Sequence, residues 1–376
     1  MYCPCRMNAS FWRFSARFVM PSLVVSIVLV AGGCQRQASP FLVTPVQALE
    51  YLAEKPAKVV YFNGAAHAAL VAANPPWLDP ADREVRSERV RAMAQAVQTP
   101  KLFRQLDRQQ HFDALILTGD SQQYKPLMDH LIKSGDWALE WVDAFCLIYR
   151  RGKQETLSME RIRSVTTCWE GLPKSERAML LAAMAENLVA ARRGDAAREM
   201  LDVGMRVAPD SPAVWVSEGR FRLARGEWKQ AIAAADRALK ADKEYRPAWS
   251  VKAQGLYFSK RFQEAYALSA RLLKDAQEDP LMLFSHAKIA HEVRALEEEI
   301  LVLRKLIDIA ERQGRQTSWY RIYLGQAFGL TGDGEGAERE LGAALQDPEL
   351  PEEQREFASD ALARVRSKVR VEASEK

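Results

Sequence analysis

By residue type, Asn63, His67 and Asp120 are the side chains of this chain best suited to acid–base chemistry. An imidazole accepts a proton and a carboxylate orients it. They follow two apolar, strand-like runs, residues 58–64 (KVVYFNG) and 112–117 (FDALIL). Open α/β sheets place their ligand sites beyond the carboxyl ends of such strands. The same residues also have structural uses, and these are the stronger reading. Asn63-Gly64 is turn chemistry, Asp120 or Ser121 suits a helix N-cap, and His67 falls at a helix start.

Other chemistry is thinly represented. There is no G-x-x-x-x-G-K-[ST] loop and no G-x-S-x-G elbow. The glycine-rich run 332–336 (GDGEG) follows no strand and reads as an interhelical turn. His286 and His291 are five residues apart, so they leave a common helix face and miss the H-E-x-x-H spacing of a zinc site. Glu297, Glu298 and Glu299 read as a solvated helix face. Cys146 and Cys168 are either a disulfide or two separate buried thiols. No catalytic residue, metal or cofactor is expected.

The elements that must position these residues begin after a leader. Residues 1–33 hold Arg6, Arg13 and Arg17, no acid, and an apolar run at 18–30. That run is short for a transmembrane helix, which takes about 20 apolar residues. Ala31-Gly32-Gly33 then leads into Cys34. This arrangement resembles a bacterial lipoprotein signal, although Ala31 stands where leucine is usual. The resemblance implies cleavage before Cys34, acylation of its thiol and new amine, and a lipid anchor in place of a spanning helix. Gln35, rather than aspartate, after the cysteine implies the outer membrane. Cys3 and Cys5 would leave with the leader. The formal charge of +4 falls to 4 − 3 = +1 once three arginines are removed, too little to attract nucleic acid.

Residues 34–44 read as a tether and 45–170 as a small α/β domain. A short amphipathic helix is expected at 45–54, a charged helical stretch at 83–109 and a helix at 125–133. The run 137–151 (WALEWVDAFCLIYRR) reads as two strands or a bent one. Strands alternating with helices predict a mostly parallel sheet. The segment resembles the soluble α/β part of some bacterial polysaccharide mannosyltransferase-like proteins. The shared features are a strand ending in Asn, the FDALIL strand, and a tryptophan-led strand ending Tyr-Arg-Arg. That is an accessory segment, so no catalytic residue carries over.

Residues 171–350 repeat every 34 residues, in windows starting at Ala178, Pro212, Arg246, Pro280 and, after a four-residue slip, Ser318. The eighth position is Ala185, Gly219, Ala253, Ala287 and Gly325. The twentieth is Ala197, Ala231, Ala265, Glu299 and Ala337. Trp215 and Trp249 share the fourth. Small side chains at fixed sites are what two closely packed antiparallel helices require, and such units stack to bury a shared core. With Leu324-Gly325, Phe328, Gly332, Ala337 and Ala344 in place, these windows resemble tetratricopeptide (TPR) repeats. The resemblance implies an all-α superhelical solenoid whose first helices line a concave groove. Position nine is Glu186, Arg220, Gln254, Lys288 and Gln326, polar throughout. The partner-binding candidates are Arg220, Gln254, Tyr257, Lys288, His291 and Trp319. Phe258 and Phe284 either join them or pack between repeats. Residues 351–376 read as a charged helix capping the array.

The chain is therefore expected to be α+β overall, a small α/β domain followed by a TPR-like solenoid. The expected function is that of an envelope lipoprotein facing the periplasm, held to the membrane by its lipid and binding other envelope proteins. The alternative is an enzyme acting on cell-surface carbohydrate through the α/β domain, with the repeats as a docking arm.

Overall fold

A computed structural model describes residues 46–54, 57, 59–62, 71, 78–84, 88–97, 99–119, 121–152, 157–275, 278–312, 316–348 and 350–374. Asn63, His67, Asp120, Cys34 and the whole leader lie outside them. The chain divides into two compact units, Met1–Phe221 and Arg222–Lys376.

In the first unit, α1 (Val46–Glu54) precedes β1 (Val60–Phe62). The charged helical stretch is two helices, α2 (Glu88–Ala96) and α3 (Pro100–Gln110). Pro100 explains the break: with no N–H to donate, it starts a helix readily and continues one badly. Then come β2 (Ala114–Thr118), α4 (Lys125–Ser134), β3 (Trp137–Val142) and β4 (Cys146–Arg151). The strand order is β1-β2-β4-β3.

The mostly parallel sheet expected from the sequence is corrected here. Among the described strands only β1 and β2 run parallel; β4 is antiparallel to both β2 and β3. The cause is local. Between Val142 and Cys146 the chain reverses in three residues, and the buried Asp143 carboxylate accepts from Phe145 N at 2.7 Å and Cys146 N at 2.8 Å. A short turn joins antiparallel strands, whereas a parallel pair needs a long crossover. On the sheet, Tyr61 packs edge-on against Phe103 and Phe112, at 5.4 Å from each. Its hydroxyl donates to Met93 O at 2.5 Å.

A helix not anticipated from the sequence, α5 (Met159–Thr167), is capped by Ser158, which accepts from Arg161 N at 3.2 Å. The first repeat pair, α6 (Lys174–Ala190) and α7 (Gly194–Val207), shares one apolar core with the sheet. Leu181, Leu188 and Leu201 are wholly buried there beside Leu115 and Leu147. Each such side chain contributes roughly 1.5–3 kcal/mol. Asn187 Nδ2 donates to Asp143 O at 3.0 Å, fastening α6 to the hairpin. Cys146 and Cys168 are two free thiols. Cys146 is fully buried in β4, with its sulfur beside the Asp143 carboxylate.

The remaining helices continue in pairs. α8 (Pro212–Ala224) is followed by α9 (Trp228–Ala241), α10 (Arg246–Phe258) by α11 (Phe262–Asp275), and α12 (Pro280–Glu292) by α13 (Leu296–Arg312). The last pair is α14 (Ser318–Thr331) and α15 (Gly334–Leu345), and α16 (Glu352–Ser374) closes the chain. Within every pair the turn is made the same way. Arg192, Gly226, Lys260, Arg294 and Gly332, each at the fifteenth position of its window, all have positive φ, between 57° and 88°. The next residue donates its N–H five residues back, as in Ala295 N to Ala290 O at 2.9 Å. This is the Schellman closure, which satisfies the orphan carbonyls of the first helix.

Small side chains sit where the period requires them. Ala231, Ala265, Ala287 and Ala337 have no exposed surface. A Cβ added at Gly325 would lie 2.7 Å from Leu341 Cγ. The tryptophans at position four reach back to the preceding loop, Trp215 Nε1 to Pro209 O at 2.6 Å and Trp249 Nε1 to Lys243 O at 3.0 Å. α16 covers the last pair. Ala358, Ala361 and Leu362 bury against Ile322, Leu341 and Ala344, and Arg355 donates to Leu345 O and Asp347 O.

Candidate functional site

The first helices of the second unit carry the side chains of interest. Asp279 sets the start of α12 by accepting from Leu281 N and Met282 N, with Pro280 opening the helix. Helical spacing then places Leu281, Phe284, Lys288 and His291 along one stripe. The stripe meets its neighbours on both sides. Toward α10, Lys288 Nζ stands 5.9 Å from the Tyr257 ring and 5.2 Å from the Phe284 ring on its own helix. Toward α14, Phe284 is edge-on to Tyr320 at 5.2 Å and to Tyr323 at 5.3 Å. Trp319 stands at 90° to Tyr323, 5.2 Å away. Phe258, nearly half exposed, stacks on Trp228 at 4.6 Å.

Charge on this face is distributed unevenly. Burial pushes the Lys288 amine below its ordinary value, and Lys288 has no ion pair among the described residues. Burial raises the Tyr257 and Tyr323 phenols, and the Glu292 carboxylate adds to the shift in both. His291 Nδ1 lies 3.0 and 3.1 Å from the two oxygens of Glu299. That hydrogen bond holds the imidazole above its ordinary range despite burial.

The six partner-binding candidates therefore separate. Tyr257, Lys288, His291 and Trp319 lie on this face together with Phe284. Gln254 is exposed on α10, and its Nε2 donates to Ser250 Oγ at 3.4 Å. Arg220 belongs to the first unit, where its guanidinium is engaged by Glu186 at 2.6 and 2.7 Å. Two polar residues of the position-nine ladder thus neutralise each other. Tyr320 and Tyr323 were not singled out in the sequence. For Tyr323, four residues on from Trp319 and so on the same helix face, that spacing is the signal that would have found it.

The acidic run 297–299 is corrected. Glu297 is exposed, but Glu298 is half-buried and Glu299 has no exposed surface. Successive residues of a helix are about 100° apart, so three neighbours cannot share a solvent face. Glu298 turns toward α11 and α12, accepting from the Tyr266 hydroxyl and lying 3.0 Å from His286 Nε2. Burial alone would raise that carboxylate, but the Tyr266 and His286 hydrogen bonds hold it below the usual range. His286 Nδ1 lies 2.8 Å from Ser269 Oγ. Serine, imidazole and carboxylate are aligned, yet His286 is completely buried and Ser269 nearly so. The three groups satisfy one another between helices.

His286 and His291 face different partners, as their spacing requires. Among the described residues no three His, Cys, Asp or Glu side chains converge to hold a metal, and no helix is long and apolar enough to cross a membrane. The 332–336 run is an interhelical turn: Gly332 ends α14 in the left-handed conformation, and Asp333 caps α15 by accepting from Gly336 N at 2.8 Å.

No family model matches the chain, and no curated protein sequence does. Solved structures are similar in fold. A fragment of MamA from Desulfovibrio magneticus RS-1 is 18% identical, with a TM-score of 0.40 over 45% of this chain and 97% of its own. YrrB, described as a TPR protein with an unusual peptide-binding site, is 13% identical, with a TM-score of 0.43 over 54% and 99%. PilW, described as a type IV pilus biogenesis factor, is 18% identical, with a TM-score of 0.44 over 63% and 97%. The helical part of this chain is of tetratricopeptide type on its own evidence: the 34-residue pairs, the small contact positions and the repeated turn.

Proposed function

We propose that this protein is a binding scaffold of the bacterial cell envelope, with no reaction of its own. Cys34 carries the lipid that holds it to a membrane, the outer one, with the folded part in the periplasm. The first-helix face of the second unit takes an extended segment or helix of a partner envelope protein. One observation carries this reading. Tyr257, Phe284, Lys288, Trp319 and Tyr323 form a continuous strip across three successive first helices. Aromatic side chains, Trp and Tyr above all, are what binding surfaces enrich. Polar Gln254 and exposed Leu281 and Phe258 border the strip.

Site-specific photocrosslinking in intact envelopes tests the surface. A photoreactive side chain at Gln254 is expected to give discrete protein adducts that disappear in a Trp319→Ala, Tyr257→Ala background. The same group at Lys240, exposed on α9, is expected to give none of them. Equal adducts from both positions would remove the proposal. The anchor is tested separately: labelled palmitate is expected to enter the wild type and not the Cys34→Ala variant.

A further inference from the structure

We propose that the partner segment presents a carboxylate side chain, from aspartate or glutamate beside an apolar residue, to Lys288 between the rings of Tyr257 and Phe284. This rests on the reading of the strip as the partner-binding face.

Two other cations on these helices have acid partners. Lys252 on α10 pairs with Asp236 at 2.7 Å. Arg321 on α14 is held by Glu340 at 2.6 Å and also by Glu311. Lys288, at the middle of the strip, is half-buried and has no acid partner among the described residues. Its ammonium rests on two ring faces instead, at 5.2 and 5.9 Å. Ring faces attract a cation but replace lost water only in part. Burial accordingly lowers the amine's affinity for its proton.

The nearby acids do not relieve it. Glu299 is committed to His291. Glu292, four residues along the helix, is exposed and makes no ion pair with Lys288. From that rim its charge reaches Tyr257 and Tyr323 but is screened by water. A wholly apolar ligand laid over Lys288 would strip its remaining water and offer nothing back. A carboxylate would supply a charge-assisted hydrogen bond in a partly dry site, where such bonds are strongest. The rings beside it, Phe284 and Tyr257, suit an apolar neighbour of that acid. The ligand chemistry follows: an acidic residue flanked by an apolar one in an extended peptide.

The test uses the full chain in detergent and a phage-displayed library of random dodecapeptides. Selected peptides are synthesised with a fluorophore, and Kd is measured by anisotropy. The expected peptides share an Asp or Glu next to an apolar residue. Replacing that acid by its amide should weaken binding to the wild type by roughly tenfold, and Lys288→Gln should weaken it as much. The two changes together should cost no more than either alone, because they remove one interaction. Lys288→Arg should keep most of the affinity. The amide peptide leaves the protein untouched, so this arm does not depend on a variant's folding. Peptides that need Trp319 and Tyr257 yet carry no acid, or losses that add in the double change, would overturn the carboxylate and leave the binding face standing. Peptides indifferent to Trp319→Ala, Tyr257→Ala and Lys288→Gln alike would overturn the binding face itself.

Discussion

The carboxylate of Glu299, without exposed surface, meets His291 Nδ1 at 3.0 and 3.1 Å, at the twentieth position, where the other four windows place alanine. An acid has been taken into the contact between α12 and α13, and its partner is a histidine of the candidate binding strip. Fold and surface are therefore coupled through one hydrogen-bonded pair.

The pair predicts a pH dependence. His291 is raised above its unfolded value of about 6.5, first by the Glu299 hydrogen bond and then by the Glu299 and Glu292 charges, against burial and Arg294. A group raised on folding stabilises the protein fully below its unfolded pKa and loses that contribution as pH rises through the folded pKa. The thermal midpoint should thus fall from pH 6 toward pH 8, and Glu299→Gln should flatten that slope. Melting curves at several pH values, with an NMR titration of the His291 ring, check this. An unchanged slope in Glu299→Gln would show that the pair contributes nothing.

The turns give a second prediction. Lys260 holds φ at +60°, a conformation that costs a side-chain-bearing residue roughly 1 kcal/mol and glycine almost nothing. Gly226 and Gly332 occupy the equivalent sites. Lys260→Gly should raise unfolding free energy by about 0.5–1 kcal/mol despite the added freedom of the unfolded chain. Gly332→Ala should lower it by a similar amount. Urea denaturation of the two variants reads both signs.

Contact positions supply a third. At Gly325 an added methyl would stand 2.7 Å from Leu341 Cγ and 3.2 Å from Ala337 O. Leu341 is fully buried under α16, and the backbone oxygen cannot move aside. Gly325→Ala should cost about 1–3 kcal/mol. Leu341→Ala in the same chain should not add its full penalty, since it makes room for the methyl. Additive losses would show that the crowding is relieved elsewhere.

The helix pairs were legible in the sequence because a repeat states its constraints several times. Ala231, Ala265 and Ala337 mark the same contact, and one exception does not hide it. Trp215 and Trp249 were equally visible, though their hydrogen bonds to the preceding loop were not. The sheet was less legible. Whether β4 runs parallel or antiparallel depends on a three-residue turn at Asp143, and apolar content says nothing about direction. The acidic run failed for a related reason. Composition groups Glu297, Glu298 and Glu299, while helical rotation sends them to solvent, to Tyr266 and His286, and to His291. At the candidate strip, polarity at position nine pointed to Lys288. It also pointed to Arg220, whose partner Glu186 lies 34 residues earlier on the same ladder.

Asp143 supports a last prediction. Its carboxylate is completely buried and accepts from Phe145 N, Cys146 N and Trp141 Nε1, the last at 3.0 Å. Its backbone carbonyl takes Asn187. An amide has one acceptor where the carboxylate has two, so Asp143→Asn turns an N–H group toward at least one of those donors. Leaving a buried donor unsatisfied costs about 1–3 kcal/mol, and the hairpin that directs β4 should loosen first. Cys146 reports it. Burial, with the neighbouring Asp143 charge, pushes that thiol well above its ordinary value, and only the thiolate reacts. In native wild-type protein, iodoacetamide at pH 8 should leave Cys146 unmodified by peptide mass mapping. In Asp143→Asn the same residue should label within the time needed to modify an exposed thiol. Protection retained in the variant would mean that the hairpin holds without the carboxylate.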